Sequence, residues 1–222
     1  MIDLTREGDV FVLRMAAGEN RFHPSFVRSW NDALDEVEKA TGPKALVTTG
    51  SGKFYSNGLD MDWMLSEGRE RIDEYLHSVL AVMARLLTFP AITVAAINGH
   101  AFGAGAQIAL AHDTRVMRTG RGYFCMPEID MKANLHPGMT AIIQARLPRQ
   151  TAHEVIVTGT RYPAEAALAR NIVQHAVPEA EVMQRAMEIA APLAGKADPI
   201  MSTLKADMYP RVLEAMRESF GT

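Results

Sequence analysis

Three stretches of the chain are apolar at almost every position. Val10–Met15, after the turn signal Gly8-Asp9, reads as a strand, Ala45–Thr49 as a short strand without alternation, as expected when both faces are covered, and Ala91–Ile97 as a buried strand. Between them, apolar residues recur at helical spacing. Phe26, Trp30, Leu34 and Val37 mark a helix from about Ser25 to Thr41, and Ile72, Leu76, Val79, Leu80, Met83 and Leu87 mark one from Glu70 to Thr88. The pattern continues with helix over Leu59–Leu65 and a turn at Asn98–Gly105 that opens into a helix ending at His112. Short strands at Thr114–Met117 and Tyr123–Met126 follow, then a loop over Ile129–Leu135. Helices are predicted over Gly138–Leu147, Arg149–Thr158, Pro163–Arg170, Glu179–Leu193 and Ile200–Phe220, with a short strand inside Ile172–Val177. Strands alternating with helices, then helices alone, predict an α/β core with a helical C-terminal part.

The length of 222 residues fits one domain with room for a large core. Apolar residues at 48% and charged residues at 22% exclude a disordered or fibrous chain. A net charge of −3 draws the whole chain towards neither nucleic acid nor an acidic surface, although a local basic patch is compatible with it. The single cysteine, Cys125, excludes an intramolecular disulfide framework and a multi-cysteine zinc site, and it fits a reducing, cytoplasmic setting. None of the seven histidines forms a His-x-x-x-His pair, so no metal is expected. Met1–Gly8 lacks the apolar stretch of a signal peptide, and Glu218–Thr222 is not a Ser-Lys-Leu address. The most apolar stretch, Phe89–Ala111, contains Pro90, Asn98, His100 and Gln107; it reads as buried core rather than a membrane span.

Two glycine-containing segments each follow an apolar strand and precede a helix: Gly52-Lys-Phe-Tyr-Ser-Asn-Gly-Leu-Asp60 and Asn98-Gly-His-Ala-Phe-Gly-Ala-Gly-Ala-Gln107. A helix start leaves backbone N–H groups unpaired, and two such turns side by side would offer two donors to one oxygen. Plain tight turns are the alternative. Neither segment matches a P-loop or a Gly-x-Gly-x-x-Gly fingerprint. In Tyr123-Phe-Cys-Met-Pro-Glu-Ile-Asp130 a carboxylate, Glu128, follows an apolar strand. Burial there would raise its pKa towards that of a general base; a surface or capping glutamate is the alternative.

Together with Asn20-Arg-Phe-His-Pro24 and His112-Asp113, these segments resemble the crotonase (enoyl-CoA hydratase/isomerase) superfamily over nearly the whole chain, and most of all its monofunctional Δ3,Δ2-enoyl-CoA isomerases. The resemblance implies a spiral of ββα units over residues 1–195 and a helical C-terminal segment over 196–222. It implies that the backbone N–H groups of Leu59 and Ala104 hold a thioester oxygen, and that Glu128 moves the proton. A second glutamate, used by the family's hydratases, is replaced by Gln107, whose amide cannot take a proton from water. Arg21, Phe22, Lys53, Ser56, Asn57, Gly58, Asp60 and Gly103 would meet the CoA portion, and Met61 and Met126 would help to form a pliable acyl pocket with Gln107 nearby. Asp130, His100 and His112 read as structural. Coenzyme A enters as part of the substrate and no cofactor is implied. Neither nucleic acid nor membrane is an expected partner; a homotrimer or homohexamer is. An enoyl-CoA hydratase, another acyl-CoA enzyme of the fold, and an idle CoA-binding subunit remain open alternatives.

Overall fold

The computed structural model describes residues 1–66 and 68–219. The chain opens with an antiparallel hairpin of β1 (Ile2–Glu7) and β2 (Val10–Met15). β1 escapes the sequence pattern because most of its side chains are exposed and only Ile2 and Leu4 lean on the core. α1 (Pro24–Lys39) buries Phe26, Val27, Trp30, Ala33, Leu34 and Val37. His23 caps its start, and Pro24 suits the first turn, where no N–H partner is needed.

A ββα unit then recurs three times. β3 (Ala45–Gly50) and β4 (Phe54–Ser56) precede α2 (Met61–Ser66) and α3 (Ile72–Leu87); β5 (Ile92–Ile97) and β6 (His100–Phe102) precede α4 (Ala104–Ala111); β7 (Thr114–Arg118) and β8 (Phe124–Cys125) precede α5 (Glu128–Met131). The first strand of each unit joins one sheet and the second joins another. The larger sheet has the order β1-β2-β3-β5-β7-β9, parallel from β2 onward, where β9 is His175–Val177; the smaller is a parallel β4-β6-β8. This two-sheet winding is the crotonase spiral that the resemblance implies.

Helices α6 (Pro137–Arg146), α7 (Arg149–Thr158), α8 (Ala164–Ala169), α9 (Val182–Ala190), α10 (Pro199–Met208) and α11 (Pro210–Ala215) complete the chain. α9 covers one face of the larger sheet, where Val182, Ala186 and Ala190 pack on Ala45, Val47, Val94 and Ala96. On the opposite face Leu46, Ala95 and Ile97 join a core shared with α1, α3 and α4. Both faces are therefore covered, which explains strands without alternation.

Three expectations are corrected. The helix read over Ile200–Phe220 is two helices, because Pro210 cannot continue the ladder of α10; Phe220 itself lies outside the described residues. β4 and β6 sit inside segments read as turns, since three residues are too few to show a period. The loop read over Ile129–Leu135 begins inside α5, which stops at Lys132 in the left-handed conformation (φ 54°). Phe89–Ala111 folds into β5, β6 and α4; among the described residues no helix is long and apolar enough to cross a membrane.

Candidate active site

The two glycine segments meet face to face. Gly58 has φ +87°, and a Cβ there would stand 2.8 Å from the Phe102 carbonyl oxygen and 3.1 Å from Ala104 N. A Cβ on Gly105 would stand 2.3 Å from the Ser56 carbonyl oxygen. Only glycine lets these backbones approach so closely. The contact places Leu59 and Ala104 on the wall of one cavity. Ala104 begins α4, so its N–H is one that the helix leaves unpaired. The residue before it, Gly103, takes up the turn with φ +50°, which leaves Ala104 with helical geometry and no strain from its methyl group. The amides flanking Leu59 are committed: Gly58 N–H donates to Ser56 Oγ (3.2 Å) and Asp60 N–H to the Tyr75 hydroxyl (3.0 Å). Among the described residues, Leu59 N–H donates to no acceptor.

The cavity measures about 450 Å³, a volume suited to a sizeable ligand. Its walls are largely apolar: Met61 and Met64 from α2, Ile72 and Leu76 from α3, Leu135 before α6 and Met139 within it. Glu128 stands in this cavity at the first turn of α5, with Oε1 3.5 Å from the point a Gly103 Cβ would occupy. Its Oε2 is buried without a hydrogen-bond partner. Burial accordingly raises the carboxyl above its ordinary pKa. The other carboxylate on the lining, Asp62, sits at the exposed mouth and pairs with Arg21 at 2.7 Å.

The remaining predicted residues divide by position. Arg21, Asn57 and Gly103 line the cavity. Asn57 donates to Glu19 Oε2 (2.9 Å), which also binds Arg21 (2.7 Å), so three side chains brace the mouth. Asp60 caps α2 through Trp63 N–H (3.2 Å), and Ser56 donates to the Asn20 carbonyl (2.7 Å); both shape the first loop from behind. Lys53 lies on the surface over the Phe54 ring. Phe22, Met126 and Gln107 do not line the cavity. Phe22 is in the core and reaches the first loop only through its N–H to the Gly58 carbonyl (2.9 Å). Gln107 faces inward because α4 is buried all round, and its amide rests 3.8 Å from Met126 sulfur.

His100 packs between aromatic rings of Phe54, Phe102 and Tyr123, away from the cavity lining. His112 is fully buried between Thr48 Oγ1 (2.9 Å) and the Ile108 carbonyl (2.8 Å), and desolvation pushes its pKa down to about 4. Asp130 lies against Gly159 at the end of α7. The Cys125 thiol, pushed up to about 11 by burial, faces the Gly159 carbonyl. Two supports were given no role from sequence, although Asn20 opens a segment that carries the resemblance. Asn20, buried with φ +52°, accepts from Ala17 N–H (2.8 Å) and donates to the Tyr55 carbonyl (3.0 Å); Tyr75 holds Asp60. The tolerance of asparagine for positive φ is a local signal of the structural role of Asn20.

A sequence profile of the enoyl-CoA hydratase/isomerase family matches residues 5–220. The chain is 31% identical over 224 residues to enoyl-CoA delta isomerase 2, peroxisomal, of Arabidopsis thaliana, covering 96% of this chain and 93% of that protein. It is 32% identical over 222 residues to enoyl-CoA delta isomerase 3 of the same plant, with the same coverage. A solved structure of a probable enoyl-CoA hydratase from Mycobacterium tuberculosis superposes with a TM-score of 0.90 at 25% identity, covering 97% of this chain and 91% of that one.

Proposed function

The chain belongs to the enoyl-CoA hydratase/isomerase family, and from that premise we propose that it is a Δ3,Δ2-enoyl-CoA isomerase in which Glu128 alone carries the proton. One observation carries the reading: among the described residues, away from the exposed mouth, the one carboxylate on the cavity lining is that of Glu128, half-buried among apolar walls with Oε2 lacking a hydrogen-bond partner, and the same cavity wall bears Leu59 and Ala104.

The thioester oxygen of a 3-enoyl-CoA accepts from Leu59 N–H and Ala104 N–H. Those donors stabilise the negative charge that develops on the oxygen when C2 loses its proton. Removing one donor of such a pair typically costs ~10²–10³ in rate. Ionised Glu128 takes the C2 proton, the electrons spread into a dienolate, and the same carboxyl returns the proton at C4. The raised pKa makes the carboxylate a stronger base, and the apolar walls keep the proton from exchanging with water. Asn57 and Arg21 at the mouth, and Lys53 beside the first loop, meet the CoA portion. Hydration requires a second basic group to activate water. The nearest candidate in α4, Gln107, is a neutral amide turned into the core.

The test is a product assay on the purified protein with short, medium and long 3-enoyl-CoAs and, separately, with 2-enoyl-CoAs. Conversion of 3-enoyl- to trans-2-enoyl-CoA with little 3-hydroxyacyl-CoA supports the proposal. Fast hydration of 2-enoyl-CoA without isomerisation would replace it with a hydratase.

A further inference from the structure

α4 carries a proposed oxyanion donor at its first residue and is held just as firmly at its other end. Arg146, the last residue of α6, donates from Nε to the Leu110 carbonyl (2.9 Å) and from Nη2 to the carbonyls of His112 (2.7 Å) and Asp113 (3.1 Å). The Leu110 and His112 carbonyls are ones that the end of α4 leaves without intrahelical donors, and the Asp113 carbonyl follows directly; the His112 carbonyl also accepts from Arg115 Nη1 (3.1 Å). Its remaining nitrogen, Nη1, donates to the Tyr209 hydroxyl (2.5 Å), and the guanidinium lies 5.6 Å from the centre of the Tyr209 ring. Tyr209 is the residue between α10 and α11. One planar side chain therefore ties the C-terminal helices to the far end of the helix that opens at Ala104.

We infer that Arg146 is a positioning residue for the oxyanion donors, and that Tyr209 holds Arg146 in place. α4 has eight residues and spans about 12 Å. A stiff rod of that length passes an axial shift at one end to the other. Its N-terminal end already presses on the first loop, where a Gly105 Cβ would stand 2.3 Å from the Ser56 carbonyl oxygen. Arg146 supplies the opposing support and so fixes the height of Ala104 N–H relative to Leu59 N–H. The fork matters more than the charge, because three carbonyls in different directions are met by two nitrogens of one plane. Lysine has the charge without the fork.

The inference rests on the reading that both amides bind the thioester oxygen, so its test reads that contact without requiring turnover. Isotope-edited infrared spectra of butanoyl-CoA labelled with ¹³C at C1 report the polarisation of the bound carbonyl in the wild type, Arg146→Lys, Tyr209→Phe and Asp198→Ala. Asp198 caps α10 by accepting from Ile200 N–H (2.8 Å) and serves as the control for loosening the C-terminal helices alone. The wild type should show the carbonyl band moved to lower frequency on binding. Arg146→Lys should lose most of that movement and ~10- to 100-fold in isomerisation kcat, with KM changed by less than ~3-fold. Tyr209→Phe should follow in the same direction with a smaller change, and Asp198→Ala should lower Tm and leave the band in place. A folded Arg146→Lys with the wild-type band position overturns the inference. A wild type that binds butanoyl-CoA with no band movement overturns the oxyanion reading itself.

Discussion

Gly105→Ala sets two physical rules against each other. In helix propensity alone, alanine in place of glycine stabilises by about 1 kcal/mol. The new Cβ, however, would stand 2.3 Å from the Ser56 carbonyl oxygen and 2.7 Å from Ser56 Cβ, against the 3.4 Å or more of ordinary contact. About 1 Å of separation must open between the two loops. Ser56 cannot yield freely, because its hydroxyl donates to the Asn20 carbonyl (2.7 Å) and accepts from Gly58 N–H (3.2 Å). Overpacking of this kind costs about 1–3 kcal/mol, so a net loss of about 1 kcal/mol should remain after the propensity gain. The larger effect falls on catalysis. Ala104 adjoins the substituted residue, and a displacement near 1 Å in a reacting geometry costs on the order of 10²-fold in kcat. Gly195→Ala is the control, since a Cβ there meets nothing within 4 Å. Urea unfolding and isomerase kinetics on the two variants decide the matter. A Gly105→Ala protein that is more stable than the wild type and fully active would refute the loop contact and the donor geometry built on it.

Two pH effects follow from buried titrating groups. Glu128 acts as a base in its ionised form, and burial raises its pKa above the ordinary 4.5. The acid limb of kcat/KM should therefore lie above 4.5, with activity falling as pH drops through it; a pH-rate profile that stays flat to pH 4 would contradict this. His112 is kept neutral in the fold, with its pKa depressed from 6.5 to about 4. The unfolded chain binds this proton first as pH falls, so the contribution is present above 6.5 and lost towards 4. Between pH 7 and pH 5 the loss is about 2 kcal/mol, measurable as a stability decrement that His112→Gln lacks.

The assembly is checked by sedimentation. α10 exposes Ile200, Leu204 and Met208 along one side as an apolar stripe. A mass of three or six chains is expected, and a monomer at micromolar concentration would contradict it.

The parts of the site that are local in sequence were legible there. The glycines of the two segments marked where the loops meet, and the resemblance singled out Leu59 and Ala104 beside them, which the structure places on one cavity wall. Glu128 was legible through the apolar strand before it. The cavity walls were not, because Ile72 and Leu76 come from α3, Met139 from α6 and Met64 from α2, and only tertiary packing joins them. Met126 and Gln107 show the same limit from the other side. Their place in the sequence put them near the site, but α4 is buried on every face, which turns Gln107 into the core, and Met126, fully buried after β8, packs there against the Gln107 amide. Strands were missed where they were short or polar, as β4, β6 and β1 were, since a periodic signal needs several residues and a buried face. The break at Pro210 needed no tertiary information, because proline lacks the N–H that an interior helical position requires.

The most direct measurement is the isomerisation rate of Glu128→Gln alongside its thermal stability. The amide keeps the shape and removes the base. The wild-type protein should isomerise 3-enoyl-CoA, and the variant should lose at least ~10³-fold in kcat while still binding acyl-CoA. Its Tm should equal or exceed that of the wild type at neutral pH, because an ionised carboxylate no longer has to be buried. A folded variant that isomerises at the wild-type rate would contradict the single-glutamate proton shuttle.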